Sequence, residues 1–161
     1  MSSPSARLGE LGLTLPAVAT PLAAYVPAVR VGQLVFTAGQ LPSVEGHLAV
    51  TGKVGAEVSP DEAAACAGVA VLNGLAAIAA EVGGLDAIVR VVKVTVFVAS
   101  DPGFTGHAHV ANGASQLLRD VFGAVGQHAR SAVGVAVLPL DSPVEVELVV
   151  EVAATPTVRP L

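Results

Sequence analysis

The 161-residue chain carries only eight Lys and Arg and thirteen Asp and Glu, so a charged side chain set among small or apolar neighbours is a candidate for chemistry. Arg130 is the first of these. Strand alternation over Ala129 to Val137 puts Arg130, Ala132, Gly134 and Ala136 on one face and Ser131, Val133, Val135 and Val137 on the other. A guanidinium beside three of the smallest residues has space in front of it, and its planar fork matches a carboxylate with two parallel hydrogen bonds. The alternative is an arginine at a strand end that reaches solvent or pairs with a structural acid. Downstream, Glu145, Glu147 and Glu151 share one face of a run whose other face is wholly apolar, a pattern usual for a solvated side. Residues 129–137 and 144–152 read as a terminal hairpin. If Val137 faces Val144, Glu145 lies opposite Ala136, roughly 20 Å along the strand from Arg130. On that reading the two meet at one small ligand only across a subunit interface.

Other chemistries have less to work with. His107-x-His109 places two imidazoles on one face of a strand, but no third ligand stands at zinc-site spacing, and His47 and His128 belong to no pattern. No metal and no cofactor is expected. Cys66 falls in an Ala-rich helix, where a thiol is an inert small hydrophobe. Ser115 lies in Gly-Ala-Ser-Gln-Leu, which lacks the second glycine of a nucleophile elbow, and neither a phosphate loop nor a dinucleotide fingerprint occurs.

The elements that must hold these residues follow from periodicity and punctuation. A short helix spans Ser5 to Leu11, within an N-terminal extension of about residues 1–15, and an extended connector runs from Leu15 to Pro21. Tyr25 to Ala38 reads as a hairpin turning at Gly32-Gln33, and Glu45-Gly46 as a second turn before a short strand from His47 to Val50. Ser59-Pro60-Asp61-Glu62 starts a helix: Ser59 caps, Pro60 suits the first position, and the acids face the positive end of the dipole. That helix ends at Gly83-Gly84. Its apolar face is Val69, Leu72, Leu75, Ile78 and Val82, and its opposite, Ala-rich face suits close packing against a second surface. Ile88 to Val98 is a buried strand, stopped at Asp101-Pro102-Gly103, and a second helix runs from about His109 to Phe122. The expected architecture is a single α+β domain over 1–161, two helices on one face of a mixed sheet.

Composition narrows the function. Hydrophobic residues make up 53% of the chain against 13% charged, with an excess of Ala and Val that suits an oligomer with dry interfaces. The cations are scattered singly and the net charge is −5, which leaves little with which to displace counterions from nucleic acid. The uncharged stretch 63–80 is long enough for a membrane span, but nine of its eighteen residues are Ala, Asn73 and two Gly interrupt it, and glutamates flank it. A core helix fits better. One cysteine and no signal-like start point to the cytoplasm.

Tyr25, Thr37-Ala38-Gly39-Gln40-Leu41-Pro42, Val94-Thr95-Val96-Phe97-Val98, Asn112, Ala129-Arg130-Ser131, Leu138-Pro139 and Val144-Glu145-Val146-Glu147 together resemble the RidA family, the YjgF-like enamine and imine deaminases once called L-PSP endoribonucleases. The match covers about residues 20–153 in the correct order. The N-terminal helix and the longer segment from Asp101 to Val110 place the resemblance in a long-chain branch.

The resemblance implies a chorismate-mutase-like fold assembled as a homotrimer with three clefts between subunits. It implies that Arg130 holds the substrate carboxylate and that Glu145 positions or activates water for attack on an imine carbon. Tyr25, Ala38, the backbone at Gly39, Asn112 and Ala132 match other cleft positions. Two of these depart from the family: its cleft Cys is Ala132 here, and its Ser before the cleft Gly is Ala38. The implied reaction is hydrolytic deamination of 2-aminoacrylate-like enamines and imines to 2-keto acids and ammonia. A non-catalytic trimer that captures small carboxylate metabolites is the alternative, and the ribonuclease activity in the older name suits an acidic chain poorly.

Overall fold

The computed structural model describes residues 2–18 and 24–154; the last part of the expected connector, 19–21, and the final residues 155–161 lie outside them. Helix α1 (Pro4–Glu10) is followed by β1 (Ala28–Val31), β2 (Leu34–Thr37), β3 (Ser43–Val44), β4 (His47–Leu48), α2 (Pro60–Val82), β5 (Ile88–Ala99), α3 (His107–Phe122), β6 (Ala129–Val135) and β7 (Val144–Val152). Five strands form one sheet in the order β1-β2-β7-β5-β6, with β5 and β6 parallel and the other neighbours antiparallel. Helices α2 and α3 cover one face of it. This is the α+β arrangement expected. Strands β3 and β4 form a separate small hairpin, turning at Glu45 and Gly46, both at positive φ.

One expectation fails: β6 and β7 are not a hairpin. β7 inserts between β2 and β5, and β6 lies beyond β5 at the sheet edge. The connection from β6 to β7 passes over the end of β5, where Ala99 N–H donates to the Pro143 carbonyl at 3.0 Å. It needs Leu140 and Asp141 at positive φ to do so. Two adjacent strands joined by a loop look the same in sequence whether they pair or straddle a third. Burial decides here: Val144, Val146, Leu148, Val150 and Val152 are all fully buried under the helices, a position only a central strand occupies.

Helix α2 begins and ends as its sequence dictates. Ser59 and Glu62 form a reciprocal capping box, and Gly83 closes the helix at φ 87°. Its inward face is different from the expected one. Ala67, Ala70, Val71, Leu75 and Ile78 are buried, whereas Val69, Leu72 and Val82 are only half-buried. The small residues face inward because α3 crosses very close: a Cβ on Gly113 would overlap the Ala64 carbonyl oxygen. By length and composition α2 is apolar enough to cross a membrane, yet 61% of that apolar window is buried inside the fold. Cys66 is part of this packing, and burial pushes its thiol pKa up, with Glu62 adding to the rise.

Helix α3 starts at His107, earlier than expected, so His107 and His109 occupy a first helical turn and point apart. His107 pairs with Ser100 Oγ at 3.2 Å and packs edge-on to Phe104, while His109 pairs with Asp61 at 2.7 Å. Strand alternation between these two imidazoles does not occur.

The other face of the sheet is bare. Val29, Val31, Leu34 and Phe36 on β1 and β2, and Val133 on the far edge, project from it and are between 38% and 63% exposed, while Glu145, Glu147 and Lys93 lie on the same face between them; a cluster of exposed apolar side chains of this kind marks a contact surface.

The helix crossing gives a direct test of the packing. Gly to Ala inside a helix ordinarily gains up to about 1 kcal/mol. At Gly113 the overlap is with backbone, which cannot yield without separating the helices, so overpacking of about 1–3 kcal/mol prevails. Gly113→Ala is expected to lower the urea midpoint at fixed protein concentration; an unchanged or higher midpoint would contradict the close crossing.

Candidate functional site

Polar side chains of possible function fall into two groups. The first surrounds Arg130, on the helix-covered side of β6. Its register partner Val94 is fully buried beneath the helices, and Val96 and Val98 pair with Ala132 and Gly134 on the same side. Arg130 therefore points toward α3, where Asn112 and Ser115 lie three residues apart on one face. Arg130 Nη1 donates to Asn112 Oδ1 at 2.8 Å and to Ser115 Oγ at 3.1 Å. Nε and Nη2 make no hydrogen bond to another described residue, which leaves one edge of the fork for a ligand.

Behind this pair stands a further anchor. His128 Nδ1–H donates to the Gly126 carbonyl at 2.6 Å; in that tautomer Nε2 is an acceptor for the Ser115 hydroxyl, 3.0 Å away. The Ser115 oxygen stays free to accept from Arg130. Sequence patterning tested Ser115 only as a nucleophile and left His128 unplaced; a helix end and two glycines separate them, so no spacing rule pairs them. A cleft of about 570 Å³ opens over this group. On the other side of Ala132 the expected space is partly taken, since a Cβ on Gly134 would lie 2.6 Å from His107 Nε2.

The second group is built on Glu145. This residue pairs in register with Phe97 on the bare face of the sheet and is half-buried. Its carboxyl packs against Gly39, where a Cβ would overlap Oε1 in this rotamer; glycine lets the carboxyl lie directly on the backbone. The loop after β2 is held in place by ladder bonds of 2.9 Å in both directions between Gln40 and Val146. Gln40 also donates to the Ala38 carbonyl at 3.2 Å, and the Thr37 hydroxyl accepts from Leu148 N–H at 3.0 Å. Asn73, the polar residue interrupting the apolar run of α2, donates to the Leu41 and Ser43 carbonyls at 2.9 and 3.0 Å. In the sequence that interruption argued only against a membrane span; its positioning role shows in these contacts. Tyr25 is exposed at the same end of the β1–β2 ladder as Ala38. Burial pushes the Glu145 carboxyl above its usual range, and Glu147 two residues on adds to the rise.

The fold brings Arg130 together with Asn112, and Glu145 with Gly39 and Ala38, but it separates the two groups. Glu145 and Val133 flank Phe97 on either side, two strand spacings apart, and Arg130 lies three residues before Val133. The backbones are roughly 14 Å apart, and the side chains project to opposite faces. The hairpin argument for their separation was wrong in its pairing, yet one chain still cannot offer both to one small ligand. Among the described residues no group of three or more His, Cys, Asp or Glu is placed to hold a metal ion.

Residues 5–152 match the model of the YjgF/chorismate mutase-like endoribonuclease family. Protein TCP17 of Trypanosoma cruzi is 45% identical over 148 residues, which cover 91% of this chain and 92% of that one. The crystal structure of Atu1372, a protein of unknown function from Agrobacterium tumefaciens, is 44% identical with a TM-score of 0.87, covering 93% of this chain and 92% of the other. Escherichia coli TdcF with bound serine is 25% identical with a TM-score of 0.60, covering 87% and 96%. With the family model matching residues 5–152 and relatives of 44% and 45% identity covering more than nine-tenths of it, the chain belongs to the YjgF/RidA family and has that family's chorismate-mutase-like fold.

Proposed function

We propose that the protein is a hydrolytic deaminase of reactive 2-enamine and 2-imine acids, acting in the cytoplasm as a homotrimer with its clefts between subunits. The observation that carries this reading is Arg130, held by Asn112 and Ser115 through Nη1 alone, with a carboxylate-matching edge left over. Two features support assembly: the bare apolar sheet face, and the placement of Glu145 on the opposite side from Arg130. A neighbouring subunit's Glu145, with its Gly39 and Ala38, then completes a cleft that also takes in Tyr25 and Ala132. TdcF with its bound serine is a relative whose ligand is a small carboxylate-bearing molecule.

In this reading the substrate carboxylate docks on Nε and Nη2 of Arg130, fixing the imine carbon beside Glu145. Glu145 accepts a proton from water as the oxygen bonds to that carbon, giving a carbinolamine. The proton passes to nitrogen, Glu145 takes the hydroxyl proton as the C–N bond breaks, and ammonia leaves a 2-keto acid; an enamine enters this step as its imine tautomer. A carboxylate raised by burial is a better base for this step than an exposed one. Ala38 and Ala132, where the resemblance places a Ser and a Cys, favour a second reading, a trimer that binds small carboxylates without turnover. Endoribonuclease activity has little support in a chain of net charge −5 with one Tyr and no Trp.

Generating 2-aminoacrylate with a dehydratase and following keto-acid release decides between the first two. The native trimer should exceed the spontaneous rate and Arg130→Ala should fall to it; a trimer that binds keto acids yet leaves that rate unchanged would make it a binder.

Glu145 also fixes the pH profile. It must be ionised to take a proton, and burial raises its pKa above the usual carboxylate range, so activity is lost as pH falls through a midpoint above that of an ordinary glutamate. Glu147→Gln removes one cause of the rise and should move that acid limb to lower pH. An acid limb that does not respond to Glu147→Gln would remove Glu145 as the titrating base.

A further inference from the structure

The cleft over Arg130 holds a second guanidinium. Ser115 and Gln116 lie three and four residues after Asn112 and four and three before Arg119, on one face of α3, and all four line the cleft with Gln127 and Arg130. Arg119 lies one helical turn past Ser115, about 6 Å along the axis. Of the eight Lys and Arg in the sequence, two face this one space, and no Asp or Glu lines it. Neither has a carboxylate partner among the described residues. Arg119 Nη2 makes one hydrogen bond, to Gln116 Oε1 at 3.3 Å, and the neighbouring Asp120 is engaged by Gln116 Nε2 at 2.7 Å instead. Two cations sharing a cleft without an anion repel each other, and a ligand with two negative groups removes that cost.

We propose that the cleft selects 2-imino acids bearing a second, side-chain carboxylate, with Arg130 taking the carboxylate next to the reacting carbon and Arg119 the distal one. The second anionic group of an imine derived from an amino acid is a carboxylate, and one or two methylenes beyond the reacting carbon cover the helical turn between Ser115 and Arg119. Near Arg119 the cleft presents the Gln116 and Gln127 amides beside the guanidinium, groups that a second carboxylate satisfies and an aliphatic or aromatic side chain does not. Arg119 is a specificity residue in this arrangement: it touches the substrate away from the bond that breaks. The reaction assigned to the site rests on the deaminase reading, whereas the preference for a dianion does not.

Calorimetry on the full-length protein with 2-oxoglutarate and with 2-oxopentanoate, keto acids of equal chain length, separates the two. The native protein should bind the dicarboxylate about tenfold more tightly, a difference of about 1.4 kcal/mol. Arg119→Gln should abolish that preference by weakening the dicarboxylate far more than the monocarboxylate, whose remaining binding reports that the variant is folded. Arg119→Lys, which keeps the charge, should retain part of it. Should the native protein bind the two keto acids equally or not at all, or should the preference survive in Arg119→Gln, Arg119 is only a cation at a helix C-terminus and the proposal is overturned. A dicarboxylate preference in a protein that hydrolyses no imine would uphold the proposal and defeat the deaminase reading alone.

Discussion

Side chains along a strand alternate between two faces, and one face of this sheet is covered by helices while the other is not. That constraint settles most of what the chain can do. Even-numbered positions of β5 and β7 from Val94 onward lie under α2 and α3, and Arg130 falls in register with them. Glu145 falls in register with Phe97, on the bare side. An arginine under the helices is anchored by α3; a glutamate on the bare side is available to whatever covers that face. No rotamer change within one chain reconciles the two, which is why the proposed site draws on a second chain.

Small residues make the covered side possible. Gly113 lets α3 cross α2 at backbone contact, which in turn sets the height of Asn112 and Ser115 above β6. Gly39 does the same on the other side, letting the Glu145 carboxyl pack against a backbone that Asn73 and Gln40 hold from behind. The Ala and Val excess in the composition is thus distributed over three uses: helix crossing, core and the bare sheet face.

Much of this was legible before any coordinates. The caps at Ser59 and Gly83, the turns at Gly32 and Glu45-Gly46, the face shared by Arg130, Ala132 and Gly134, and the family itself all follow from local chemistry or a recognisable residue pattern. What escaped depends on contacts distant in sequence. Nothing local distinguishes a strand that pairs with its predecessor from one that straddles β5, so β7 was misplaced. The inward face of α2 was misread because hydrophobicity favoured Val69 and Leu72, whereas the approach of α3 selects alanine. Ser115 and His128 found each other only through the end of α3, and His107 was drawn into the helix by Phe104 and Ser100.

The account turns on a cleft made by two chains, and mixing variants tests that most directly. Arg130→Ala and Glu145→Gln each remove one half of the site and are inactive alone. If the halves come from adjacent subunits, unfolding the two together and refolding them at equal amounts regenerates complete clefts at about a quarter of the interfaces, and deaminase activity returns to that fraction of native. If Arg130 and Glu145 act within one chain, no refolded subunit carries both, and the mixture stays as inactive as its parents.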